Sequence, residues 1–158
     1  MSETKLLGLY RRMTGWPAGA WLFSRAVCFK APYFGSIRPT IRALEPGRCE
    51  ATIPHRRAVT NHLGTVHAIA LCNLAELCAG VMTDASLPAD MRWIPKGMTV
   101  SYLRKATGTQ RGIAVPTVPL VTAETGYDVP VNVDVFDPAG ERVFNAVVTM
   151  WLSPKPAR

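Results

Sequence analysis

Glu76 is the one acid in the apolar stretch from Val66 to Met82, and its neighbours Ala75 and Leu77 offer it no local cation. Burying an unpaired carboxylate is costly, so such a group reaches water, finds donors or titrates abnormally, and perturbed carboxylates gather at active sites. An ordinary exposed helix glutamate is the plain alternative, but no second charged residue in the stretch defines a solvated face. At ~100° per residue, Asn73, Gly80 and Thr83 fall with Glu76 on one narrow polar or small stripe that a ligand can approach. A carboxylate so placed suits general-base or nucleophilic chemistry.

His67 precedes Glu76 by nine residues, about half a turn round a helix and ~13 Å along it. The two should not meet within one chain. If both serve one site, a twofold dimer is the natural geometry, each pocket taking the helix start from one subunit and the acid from the other. A metal centre finds little support, because His55, His62 and His67 are spaced by seven and five and form neither H-x-x-x-H nor H-E-x-x-H.

The surrounding pattern supplies the elements that must position these residues. Spaced apolar residues predict short helices over 4–14 and 18–30, separated by Gly15-Trp16-Pro17. This helical extension, residues 1–30, is expected to close one edge of the core. Its use as a basic membrane anchor is the weaker reading, and membrane contact is not expected. Extended segments over 36–44 and 48–53 flank Glu45-Pro46-Gly47 and predict a hairpin. The long apolar helix follows over 66–83. Strands are expected over 98–105, 110–115, 129–135 and 142–152, joined by short turns. The fold class is therefore α+β: an antiparallel sheet of about six strands wrapped around one long central helix, with residues 31–158 forming that body of a single-domain protein. A helix apolar on nearly all sides needs the sheet, or a second subunit, to cover it.

Composition narrows the function further. The 158 residues are 48% hydrophobic and allow one sizeable core. Cys28, Cys49, Cys72 and Cys78 lack the spacing of a disulfide scaffold or a C-x-x-C pair and read as reduced thiols, which with the absence of a signal-peptide pattern points to the cytoplasm. The apolar stretch is shorter than the ~20 residues that span a bilayer. A formal net charge of +7 favours anionic partners. Nucleic acid is not expected, since the cations are scattered and no nucleic-acid motif appears.

The segment Asn61-His62-Leu63-Gly64-Thr65-Val66-His67, followed by Leu74-Ala75-Glu76, resembles the signature of hotdog-fold thioesterases of the phenylacetyl-CoA type. Val100 to Ala106 is similar to a strand of the same family, and the resemblance spans roughly residues 36–152. It implies a hotdog fold and hydrolysis of an acyl thioester, carried by coenzyme A or by a carrier protein, in a homodimer, with pairing into a tetramer left open. Glu76 would act as base or nucleophile and come from the partner subunit. Asn61 would orient water or substrate, and the backbone amides of Ala68 and Ile69 would polarise the carbonyl. Gly64, His67, Asn73 and Gly80 would line the substrate site, while Arg104 and Lys105 would meet coenzyme A phosphates. No cofactor beyond the thioester itself is implied. Where the family carries glycines this chain has Ala68 and Ile69, and Lys105 replaces a proline. A non-catalytic acyl-ligand binder therefore stands as the alternative, ahead of a dehydratase, for which no H-F-P-G-like segment exists.

Overall fold

In the computed structural model, which describes residues 3–156, helix α3 (Ala68–Ser86) runs through the middle of the molecule. Residues 1–2 and 157–158, the outer ends of the expected extension and body, lie outside the described residues. Six strands curl around α3: β1 (Thr40–Glu45), β2 (Arg48–Ile53), β3 (Met91–Tyr102), β4 (Gln110–Pro116), β5 (Tyr127–Phe136) and β6 (Arg142–Pro154). All pairings are antiparallel, in the order β1-β2-β4-β5-β6-β3. This is the hotdog arrangement.

Alternation explains the strands. Val129, Val131, Val133 and Val135 are buried on one face of β5, and Phe144, Ala146, Val148, Met150 and Leu152 on the matching face of β6. Leu74, Leu77, Cys78 and Met82 of α3 lie against that surface. Gly112 of β4 permits the close approach: a Cβ there would stand 3.1 Å from Leu74 Cγ and 3.2 Å from Cys78 Sγ.

Helices α1 (Lys5–Thr14) and α2 (Gly19–Lys30) match the expected segments closely. Leu7, Tyr10 and Phe23 bury into the common core. Ser24 Oγ accepts the Ile41 N–H at 2.8 Å and Tyr10 Oη donates to Arg42 O at 3.0 Å, so both helices are tied to β1.

Three expectations about the chain path change. Residues Pro32–Ile37 form a 3-10 turn, not the start of a strand; Pro32 sits in its first turn, where a missing N–H does no harm. The strand expected from Met98 begins instead at Met91 and contains Pro95. It pairs only with β6, so the proline faces an unpaired edge, and a register shift between Pro95 and Gly97 interrupts the alternation that would have revealed it. Finally, Thr107-Gly108-Thr109 does not join neighbouring strands. The chain leaves β3 at one edge of the sheet and re-enters at β4, between β2 and β5.

Candidate functional site

Helix α3 starts at a capped end. His67 takes an extended conformation and its Nδ1 accepts the Ile69 N–H at 3.0 Å. The Ala70 N–H donates to His67 O. Of the two amides expected to polarise a carbonyl, Ile69's is thus engaged by the histidine, and Ala68's has no partner among the described residues.

The loop before the helix is built by Asn61. Its Oδ1 accepts the N–H groups of Leu63 (3.0 Å) and Thr65 (3.1 Å), and its Nδ2 donates to Thr65 Oγ1 at 2.9 Å. Gly64 closes this turn at φ +74°, a conformation side chains resist. His55 fastens the loop from outside: Nδ1 accepts the Gly108 N–H at 2.9 Å, which leaves Nε2–H to donate to Gly64 O at 3.1 Å. Most of Asn61's bonding capacity holds the loop rather than pointing outward.

Glu76 stands exposed on α3, outside every ion pair of the described residues. It reaches water and lines a groove of about 820 Å³ between α3, the start of β3 and the roof formed by α1 and α2. Leu6, Leu9, Phe23, Val27, Val81 and Trp93 make its walls apolar, and Lys5, Lys30 and Lys155 are at its margins. Small-molecule sites span ~300–1,000 Å³. Gly80 belongs to the same groove, where its missing side chain leaves room for the Trp93 ring, 3.0 Å from where a Cβ would be. Trp93 Nε1 donates to Asp84 Oδ1 at 2.6 Å, which fixes the ring across the floor.

Asn73 and His67 lie elsewhere. They line a smaller cavity of about 230 Å³ with Tyr33, Ser36, Thr60 and Ile69. Asn73 is buried and donates to Ser36 Oγ at 3.2 Å. The expected polar stripe therefore divides: Glu76 and Gly80 face the groove, Asn73 the smaller cavity, and Thr83 turns its hydroxyl to Ala79 O in the core. As the spacing predicted, His67 and Glu76 of one chain do not share a cavity.

Beyond Glu76 the helix side of β3 is uncovered. Met98, Val100 and Tyr102 pair with the inward-facing Val148, Ala146 and Phe144, and paired residues share a face. Yet Met98 and Tyr102 are exposed, and the Tyr102 hydroxyl meets Cys72 Sγ on α3 at 3.4 Å. That contact and burial raise the phenol above its usual value, the contact being the larger cause. Arg104 sits 3.7 Å from Glu141, whereas Lys105 has no ion-pair partner among the described residues and precedes Ala106, whose carbonyl accepts the Val66 N–H at 2.8 Å. Lys105 is thus the freer cation beside the helix start.

The sequence reading missed Tyr33 and Ser36 in the smaller cavity, and the roof residues Leu6, Leu9 and Val27. Their only signal was the apolar spacing of α1 and α2, which announces a helix but not which cavity it covers. Met82, at the end of the apolar stretch, is wholly buried in the core.

A family model described as a domain of unknown function (DUF4442) matches residues 19–152. The chain belongs to the DUF4442 family. A solved structural-genomics protein, APC5556, is 45% identical, with a TM-score of 0.80 over 95% of this chain and 99% of its own. Thioesterase HI1161 from Haemophilus influenzae shares the fold at 15% identity and a TM-score of 0.70, covering 82% of this chain and 87% of that one. A phenylacetic acid degradation-related protein from Ralstonia eutropha does so at 21% and 0.64, covering 76% and 89%. No curated protein matches the chain. This chain thus shares the hotdog fold of these solved proteins.

Proposed function

We propose that this DUF4442 protein hydrolyses an acyl thioester, with the acyl chain in the groove under α1 and α2 and Glu76 as the base. The carrying observation is the position of Glu76: a water-accessible carboxylate lining a large apolar groove, on the helix that packs against the open edge strand β3. Glu76 takes a proton from water as the oxygen attacks the thioester carbon. The tetrahedral oxyanion then collapses, the C–S bond breaks, and the thiolate leaves to be protonated.

A second copy completes this site. Strand β3 offers an unpaired edge with exposed Met98 and Tyr102 on its helix side, and pairing β3 with its twin would cover them. The Ala68 amide of the partner subunit, at a helix start with its partial positive charge, then faces the oxyanion. Lys105 is suited to a coenzyme A phosphate, and the fold shared with thioesterase HI1161 supports a thioester as the substrate.

Thiol release from a panel of acyl-CoA esters tests the reading. Glu76→Gln should reduce turnover ~100- to 10,000-fold while acyl-CoA still binds; undiminished turnover in that variant defeats it. The alternative, an acyl-thioester binder without turnover, draws on one observation: the Ile69 amide and the Asn61 side chain are both engaged by the protein itself. Tight binding with no thiol released by the wild-type protein would select it.

A further inference from the structure

The formal net charge of the chain is +7, and all of it resides between Glu3 and Glu45. That interval carries seven cations, from Lys5 to Arg42, and no acid, while the remaining residues hold eleven of each sign. It contains α1, α2 and the 3-10 turn after them.

Four of the five exposed large aromatics among the described residues lie in the same interval. Phe29 is 89% exposed, Trp16 73% and Tyr33 72%, and Trp21 and Leu22 are also exposed. Leu22, Ala26 and Phe29 follow one another on α2 at steps of four and three, which is one helix face with Trp21 beside it, while Trp16 lies in the turn before the helix and Tyr33 in the 3-10 turn after it. The opposite face of α2 buries Phe23, Ser24 and Cys28 in the core. The helix is therefore apolar on two sides, and only one of them has a protein neighbour.

We infer that this outer face of α2 docks on a bilayer surface bearing anionic headgroups. An interfacial helix needs an apolar face to enter the headgroup boundary, cations beside it and aromatic rings with a polar edge at the level of the headgroups. Trp21, Leu22, Ala26 and Phe29 supply the first, Trp16 and Tyr33 the third. Arg12 and Lys30, both exposed and outside every ion pair of the described residues, supply the second.

Charge argues against a second copy as the occupant. A twofold contact sets a patch against itself, which here would bring two all-basic segments together. The face also belongs to the β1 side, through Ser24 and Tyr10, whereas the open pairing edge is β3 at the other end of the strand order. The sequence reading ranked a basic membrane anchor below core cover, since an interfacial helix is recognised by pronounced amphipathicity. The burial pattern of α2 shows that the cover is two-sided. The inference stands apart from the hydrolytic reading, and either can fail without the other.

The test is co-sedimentation of the full chain with phosphatidylcholine vesicles, with and without phosphatidylglycerol, alongside tryptophan emission. Binding should require phosphatidylglycerol, weaken as salt is raised, and shift emission to the blue as Trp16 and Trp21 leave water. The triple variant W16A/W21A/F29A should bind at least about tenfold more weakly. Arg12→Glu with Lys30→Glu should do the same without removing any apolar surface, which guards against a variant that merely misfolds. Absence of binding to anionic vesicles, or undiminished binding by both variants, overturns the inference. So does a smaller oligomer on light scattering of the triple variant, which would make the face a contact between copies, or a duplex oligonucleotide that displaces the vesicles.

Discussion

The imidazole of His67 caps the helix that follows it, its Nδ1 taking the Ile69 N–H at 3.0 Å. A residue singled out for the substrate site therefore has a structural task at the start of α3. His67→Ala should lower stability by about 0.5–2 kcal/mol, the range for loss of an N-cap, and His67→Asn should recover most of it, since asparagine caps well. Thermal unfolding of the three proteins measures this.

Glu76 should behave in the opposite way. Its carboxylate is exposed and outside every ion pair of the described residues, so Glu76→Gln should leave the unfolding midpoint in urea unchanged while hydrolysis falls. A large loss of stability would mean that the side chain serves the fold.

The Trp93–Asp84 hydrogen bond holds the groove floor. Asp84→Ala leaves the indole N–H without its partner and should destabilise the protein by about 1–3 kcal/mol. The freed ring should also alter the preference for acyl-chain length, read from KM across a series of acyl-CoA esters.

Alkaline pH should weaken the fold. The neighbouring Cys78 thiol, then burial, holds the Cys49 thiol well above its usual range, and burial followed by Cys49 itself raises Tyr10. Both groups keep their protons longer when folded, so the unfolded chain binds fewer protons and stability declines as pH rises past the ordinary thiol value of about 8.5. Melting temperatures measured across that range should fall, and Cys49→Ala should flatten the decline.

Replacing Ile94 and Met98 by lysine puts two charges on the open β3 edge. If the proposed β3 pairing forms, light scattering should show a dimer for the wild-type protein and a monomer for this variant, and hydrolysis should fall with it although Glu76 is untouched. A monomeric variant that keeps full activity would remove the partner from the mechanism.

Much of the architecture could be read from residues alone. The valine alternation of β5, the Glu45-Pro46-Gly47 reversal and the apolar run of α3 each state a local preference that the packing keeps. The misread parts are those where tertiary pairing overrides local pattern. Pro95 and the register shift beside it hide the first half of β3, and nothing local distinguishes a strand that crosses to the far edge from one that turns back on its neighbour. Within the site, spacing placed Glu76 and His67 apart on α3 as found. It could not foresee that Asn61 would spend its amide on Leu63 and Thr65, because those bonds depend on Gly64 closing the turn.

The roof over the groove is the feature with the widest reach. Leu6 and Leu9 belong to α1, which precedes the family-matched residues 19–152, while Glu76 lies well inside them. On the proposed function, the part of the roof that α1 supplies would bear on chain length from outside the stretch that carries Glu76, while Phe23 and Val27 of α2 lie inside it. Altering the first ten or so positions could retune which acyl groups fit while leaving the reacting carboxylate, its helix and the sheet beneath as they are.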